Sequence, residues 1–316
     1  MTASVEFCDV RMGYGAQPVL HSVSFAVARG EIVGLLGPNG CGKTTTLRLI
    51  AGFLSPDAGE VRVCGETVGS GSLAARRHIG YLPEKPPLYD ALRVRDYLDF
   101  VAAAKGLRGA ARSAGVERAM SDYALTGVSR KIIGTLSKGY RQRVGLAQAT
   151  LADPEVLLLD EATNGLDALQ IVEARTLIRA GSHDRAVIFC SHLMQEVAAL
   201  CDRVLVLHEG RPVELGDVSP TPRFELRVAG LSMADAQRLL GAVPGVSEAE
   251  YAAEQGVVTV RCTGSTPLVA DALARVATAH GQLLSLQAQR ASLEDRFIAA
   301  MQREGRAQAL TAAATA

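Results

Sequence analysis

Gly37-Pro38-Asn39-Gly40-Cys41-Gly42-Lys43-Thr44-Thr45 is the stretch on which the reading of this chain turns. It matches G-x-x-x-x-G-K-[ST], and its setting gives the match weight. Ile32-Val33-Gly34-Leu35-Leu36 before it reads as a buried strand, and Thr46-Leu47-Arg48-Leu49-Ile50-Ala51-Gly52 after it reads as a helix. Glycines let consecutive backbone N–H groups turn onto a phosphate, and the helix N-terminus adds partial positive charge. Lys43 is expected to reach the β- and γ-phosphates of a nucleotide, and the Thr44 hydroxyl to ligate Mg²⁺.

Outward from the loop, Val5-Glu6-Phe7-Cys8-Asp9-Val10 is predicted as a short strand ended by Tyr14. Val23, Phe25 and Val27 alternate with Ser24 and Ala26 as in a half-buried strand, and Val61 and Val63 share one face of another. Up to residue 83 this makes a β-rich lobe with one helix. Glu84-Lys85-Pro86-Pro87-Leu88-Tyr89 breaks the pattern. Helices are then predicted from Val94 to Gly106, from Ala114 to Leu125 and from Gly139 to Leu151, a helical subdomain over about residues 86–153. Val156-Leu157-Leu158-Leu159 is a continuous apolar run, the mark of a strand covered on both faces, and Asp160-Glu161 end it. A helix from Asp167 to Ala180, a strand Ala186–Cys190 and a helix opening at Ser191-His192 follow. Glu209-Gly210 reads as a hairpin turn between Val204–Leu207 and Pro212–Leu215. Strands alternating with helices predict an α/β domain with a mostly parallel sheet over residues 1–219.

Ser219-Pro220-Thr221-Pro222 is a linker by composition. Residues 220–304 carry a β-α-β-β-α-β order: Phe224–Val228, Ala234–Leu240, a strand near Glu248–Ala252, Val257–Arg261, Pro267–His280 and Leu283–Gln287. That order predicts a small α+β unit of ferredoxin-like type. Ser292-Leu293-Glu294-Asp295 has the form of a capping box opening a last helix, with Leu293, Phe297 and Met301 on one face. Residues 305–316 read as a flexible Ala-rich tail.

Composition narrows the classes. Lys+Arg and Asp+Glu balance at 33 each over 316 residues, so global charge argues for neither a nucleic-acid partner nor an anionic membrane surface. Aromatic content is 4% with no Trp, which leaves no stacking platform for single strands. The six cysteines form no C-x-x-C pair and read as isolated reduced thiols; a thiol reagent is expected to inhibit at Cys41. No signal segment opens the chain and no apolar run spans a bilayer, so a soluble chain is expected, with any membrane role through a partner.

A phosphate loop alone says only nucleotide; the ordered set after it says more. Leu136-Ser137-Lys138-Gly139-Tyr140-Arg141-Gln142-Arg143 resembles the signature loop of ABC-type ATPases. Val156–Glu161 resembles their Walker B strand with its catalytic glutamate, Gly165-Leu166-Asp167 their D-loop, and Ser191-His192 their H-loop. Tyr81-Leu82-Pro83-Glu84 stands at the Q-loop position and Tyr14 at the adenine-stacking position. Over roughly residues 4–216 the chain is similar to ABC transporter ATP-binding subunits. The resemblance implies ATP hydrolysis with Mg²⁺ near Thr44, Glu84 and Asp160, Glu161 as the base on the attacking water, and His192 sensing the γ-phosphate. Lys43, Gly37–Thr45, Tyr14 and Asp167 would complete nucleotide binding. Ser137, Lys138, Gly139 and Tyr140 would act in trans, on the nucleotide held by a second ATPase subunit, most simply a second copy. An integral membrane permease is the further implied partner, placing the chain at the cytoplasmic face of the cell membrane. Coupling is expected around Glu84–Asp99, with Tyr89 and Leu92 as exposed contacts.

Glu84 stands where the family usually has Gln, Tyr140 replaces the Gln that ends the signature, and Ala162 replaces the Pro after the glutamate. Leu-Pro-Glu, Leu-Ser-Lys-Gly-Tyr and Leu293-Glu294-Asp295 resemble the ATPases of ABC-2-type export systems, the gliding-motility ATPases among them. The competing class is a soluble ABC ATPase acting on ribosomes or DNA, but the chain has one ATPase unit, no sustained heptads and no basic patch. A P-loop kinase or GTPase leaves Leu136–Tyr140 unexplained.

Overall fold

The computed structural model describes residues 3–69, 72–213, 223–254, 256–264, 268–289 and 297. The chain divides into two compact units, Met1–Glu214 and Leu215–Ala316.

The first unit opens with strands β1 (Ala3–Tyr14) and β2 (Gln17–Ala28), then β3 (Ile32–Leu36) and helix α1 (Lys43–Ile50). Next come β4 (Ala58–Val63), β5 (Glu66–Thr67), α2 (Leu73–Arg77) and β6 (Ile79–Leu82). The helical segment holds α3 (Val94–Ala104), α4 (Gly109–Asp122) and α5 (Lys138–Thr150), with short 3-10 turns at Thr126–Val128 and Ile133–Thr135. β7 (Val156–Asp160), α6 (Ala168–Ala180), β8 (Ala186–Cys190), α7 (Met194–Leu200), β9 (Arg203–His208) and β10 (Arg211–Val213) complete it. Three sequence expectations change. Among the described residues the lobe before residue 83 has a second helix, α2, which the sequence hides because its five residues are too short to show a helical period. β1 runs for 12 residues, with register shifts that let it stay paired past Val10. α7 starts at Met194, because the Ser191 hydroxyl accepts the Leu193 N–H at 3.1 Å and holds residues 191–193 in a turn.

Two sheets enclose the core. One is antiparallel, in the order β2-β1-β4-β5; the other has six strands in the order β10-β9-β3-β8-β7-β6, parallel except for the β9–β10 hairpin. Period-2 alternation divides β7 between two faces: Val156 and Leu158 join the cluster shared with the antiparallel sheet, while Leu157 and Leu159 lie on the opposite face, and all are buried. α1 has eight residues and is too short to persist alone; Leu47, Leu49 and Ile50 anchor it in the same cluster. Full burial of each is worth about 1.5–3 kcal/mol.

This topology assembles the site. The phosphate loop follows β3, Ser191-His192 follow β8, Asp160-Glu161 end β7, and Glu84 follows β6. These four strands are consecutive neighbours in the sheet, so four sequence-distant segments converge at its carboxyl edge, the usual place for ligands in parallel α/β sheets.

The second unit contains β11 (Arg223–Ala229), α8 (Met233–Gly241), β12 (Val246–Glu254), β13 (Val257–Gly264), α9 (Leu268–His280) and β14 (Gln282–Gln289). Its sheet is antiparallel throughout, in the order β12-β13-β11-β14, the split arrangement expected of β-α-β-β-α-β connectivity. Phe224, Leu226 and Val228 of β11 pack with Val258 and Val260 of β13 and with Leu240 and Leu273 of the two helices. The Ser219–Pro222 linker, the capping box at Ser292–Asp295 with Leu293 and Met301, and the tail 305–316 lie outside the described residues.

Candidate nucleotide site

Gly42 shows why the phosphate loop needs glycine. It sits at φ +108°, in the left-handed region, and an added Cβ would meet the Leu20 side chain at 2.5 Å. Its carbonyl accepts both the backbone N–H and the hydroxyl of Thr46, at 2.8 and 2.9 Å, which locks the loop onto α1. Lys43 is buried at 8% exposure, and its Nζ donates to the carbonyls of Gly37 at 2.6 Å and Pro38 at 3.1 Å. The ammonium thus lies inside its own loop, where a phosphate would meet it.

Around the loop is a cavity of about 390 Å³, lined by Tyr14, Asn39, Gly40, Gly42, Lys43, Thr44, Thr45, Glu84, Asp160 and Glu161 with Gln17 and Val19. Tyr14 is half exposed at its rim, with its hydroxyl 3.5 Å from the Thr45 hydroxyl. Asp160 is buried, and burial raises its pKa; the Thr44 hydroxyl bonded to it opposes the rise, while the nearby charges of Glu161 and Glu84 add to it. The Tyr81 hydroxyl lies near Asp160 and is pushed up to about 12 by burial and by the charge of that carboxylate. In the sequence Tyr81 only opens the Q-loop; its reach to Asp160 is hidden there, because β6 and β7 pair across the whole helical segment that separates them. Thr44, Glu84 and Asp160 offer oxygen donors only, and the negative charge gathers around them; this donor chemistry fits Mg²⁺.

Glu161 and His192 meet directly: His192 Nδ1 lies 2.8 Å from Glu161 Oε2. Glu161 adopts φ +51°, costly for a residue with a side chain, and is held there from both sides. Its N–H donates to Cys190 at 2.9 Å and its carbonyl accepts from Asn164 at 3.0 Å.

The signature residues are elsewhere. Ser137 caps α5, accepting the Tyr140 N–H at 3.5 Å, and with Gly139 and Tyr140 it lines a separate cavity of about 220 Å³. Gly139 permits α6 to approach, since a Cβ there would meet Gln170 Cδ at 3.0 Å. Lys138 Nζ lies against Gly165. Arg143 sits 5.4 Å from the Tyr140 ring centroid and donates to Glu173 at 2.6 Å, tying α5 to α6. Asp167 caps α6 by accepting the Gln170 N–H at 2.9 Å and is not among the residues lining the phosphate-loop cavity.

Cys41 corrects an expectation. It is 5% exposed and burial raises its thiol pKa, so the thiolate that a reagent needs is both hidden and scarce. Facile inhibition by thiol reagents at this position is not expected of the folded chain.

Glu84 is exposed and acts on Asp160 through its charge. Glu84→Gln keeps a carbonyl oxygen and removes that charge. The expected result is a kcat within about tenfold of the parent, a difference of ~1.4 kcal/mol, in a phosphate-release assay; complete loss would give the carboxylate a role beyond an oxygen donor.

Comparison with known proteins agrees with this geometry. A family model described as ABC transporter matches residues 20–164. The Nod factor export ATP-binding protein I of Burkholderia orbicola is 38% identical over 218 residues, covering 68% of this chain and 71% of that protein. The linearmycin resistance ATP-binding protein LnrL of Bacillus subtilis is 31% identical over 303 residues, covering 92% of this chain and 96% of that one. A solved ATP-binding subunit of an ABC transporter superposes with a TM-score of 0.61 at 30% identity, covering 76% of this chain and 94% of that structure. The chain belongs to the ABC transporter ATP-binding proteins, in their ABC-2-type branch, and is an ATPase of that family.

Proposed function

We propose that this ATPase powers export through a separate integral membrane permease, and that two copies close on two ATP molecules to do so. One observation carries the reading: the phosphate-loop cavity gathers Lys43, Thr44, Glu84, Asp160 and Glu161, while Ser137, Gly139 and Tyr140 line a different cavity of the same chain. A single chain therefore holds two half-sites, and a second copy turned against the first makes two whole ones. In each, Lys43 and the loop N–H groups hold the phosphates, Tyr14 stacks on the adenine, and Thr44, Asp160 and Glu84 are the residues that would hold Mg²⁺. The metal supplies charge neutralisation on those phosphates. Glu161 takes the proton of the attacking water, and His192, whose Nδ1 stays beside Glu161, donates from its other ring nitrogen to the γ-phosphate. Ser137 and the N–H groups opening the partner's α5 close the far side of that phosphate. Asp167 holds the turn that faces the partner.

Export is supported by relatives named for Nod factor export and linearmycin resistance. No helix of the described residues is long and apolar enough to cross a membrane, which agrees with a permease on another chain and with work at the cytoplasmic face of the membrane. The docking surface lies around Glu84–Asp99. Tyr89 is 52% exposed there and packs on Tyr97 and Phe100, with ring centroids 5.9 and 5.5 Å away, whereas Leu92, expected to be exposed, is half-buried and donates its backbone N–H to the Tyr89 carbonyl at 3.0 Å. Residues 1–219 act as the ATP-binding domain with its helical subdomain at about 86–153, and residues 220–304 as an accessory domain supporting dimerisation or regulation.

The test is a tagged Glu161→Gln chain solubilised from membranes with ATP and Mg²⁺. Co-purification of a multi-span hydrophobic chain is the expected result, and that chain's identity points to the cargo. Recovery of ribosomal proteins or DNA without a membrane chain overturns the transporter reading.

A further inference from the structure

Two carboxylates are deeply buried among the described residues, Asp160 and Glu196, each 4% exposed. Asp160 belongs to the phosphate-loop cavity. Glu196 belongs to no motif and does not line that cavity. It stands in the first turn of α7, and its Oε2 accepts hydrogen bonds from the Thr163 hydroxyl and, at 3.4 Å, from the Ser191 hydroxyl. Its Oε1 is buried without a partner. An apolar side chain would fill this volume without that desolvation penalty, so what the carboxylate adds is an acceptor at a fixed point between two hydroxyls.

Those hydroxyls belong to the two loops that carry the chemistry. Thr163, 2% exposed, is two residues beyond Glu161, and Ser191, 1% exposed, immediately precedes His192. Ser191 passes the constraint on, since its oxygen also accepts the Leu193 N–H. The loops leave neighbouring strands β7 and β8; the backbone pairing reaches the Glu161 N–H on the Cys190 carbonyl, and beyond it the course of residues 162–163 against 191–193 is left to side chains. We infer that Glu196 is a positioning residue: it clamps the Thr163 and Ser191 loops together and so sets the 2.8 Å meeting of Glu161 with His192. The inference rests on the roles proposed above for Glu161 and His192.

The experiment compares Glu196→Ala, Glu196→Gln and Thr163→Val in the full chain, with Glu161→Gln alongside. Glu196→Ala should lower kcat about tenfold while KM and Kd for ATP stay within about twofold, because the phosphate-binding groups are untouched. Glu196→Gln keeps an acceptor oxygen in the same place and should recover kcat to within about threefold of the parent. Thr163→Val preserves volume, removes the donor, and should lose kcat as Ala does; it carries the test if Glu196→Ala fails to fold. The clamp is overturned by parental kcat in Glu196→Ala or Thr163→Val, by a Gln variant as slow as the Ala variant, or by a loss of ATP affinity equal to the loss of kcat. Parental turnover in Glu161→Gln would instead remove the site assignment on which the clamp rests. An inactive Glu161→Gln beside fully active Glu196→Ala and Thr163→Val removes the clamp alone.

Discussion

Glu161→Gln will bind ATP with unchanged affinity and turn it over about a thousandfold more slowly than the parent, the range expected when a general base is lost. The backbone makes this a clean substitution. Glu161 is held at φ +51° by hydrogen bonds through its N–H to Cys190 and through its carbonyl from Asn164, and neither bond involves the side chain. Gln has the same shape, so the strained turn and the β7–β8 register beneath it persist. Its amide oxygen can still meet His192, which keeps that ring in place. Lys43, Thr44 and Asp160, the groups proposed to hold phosphate and metal, lie on other segments or at the strand end and keep their own hydrogen bonds. What disappears is a carboxylate able to accept the water's proton. Single-turnover hydrolysis and equilibrium ATP binding, measured on the same preparation, separate the two effects. Turnover above about a tenth of the parental rate would mean that another group takes the proton.

How much of the fold and the site is legible in the sequence depends on the distance over which each feature is encoded. The phosphate loop, the β7 run and the hairpin at Glu209-Gly210 depend on neighbouring residues, and their patterns survive in the sequence. The second unit's element order is readable for the same reason, since each strand and helix carries its own period. Features spanning the sheet are not. The Tyr81 hydroxyl reaches Asp160 because β6 lies beside β7, an adjacency that no local pattern states. Glu196 has its functional partners at Thr163 and Ser191, 33 and 5 residues away. In sequence it reads as an ordinary acid in a first helical turn, favoured there by the helix dipole. A weak signal exists, because Glu196 falls four residues after His192, but α7 starts only at Met194 and the i,i+4 relation does not apply across its boundary. Cys41 misleads for a related reason. Its place in the loop is local, while its burial is created by the packing of the loop against the rest of the core. α2 is invisible because five residues carry no measurable period.

Mixing two inactive chains should restore activity. Lys43→Ala removes the ammonium inside the phosphate loop, and Ser137→Arg places a bulky cation at the cap of α5; each alone should be inactive within the limits of the assay. The two positions line different cavities, so each variant leaves the other half-site of its own chain intact. In a mixed dimer, one composite site pairs the altered loop with the altered signature. The other pairs the untouched Lys43 of one chain with the untouched Ser137 of its partner. With random pairing at equal amounts, half the dimers are mixed and each has one whole site, so about a quarter of parental activity is expected if the sites fire independently. Varying the ratio of the two variants at constant total concentration should give a maximum near equal amounts, a shape that residual activity of either variant cannot produce. Coupling between the sites lowers the height of that maximum without moving it. A flat titration at the background of the two variants would mean that Ser137 does not complete the partner's site, and the cavity it lines with Gly139 and Tyr140 would need another occupant.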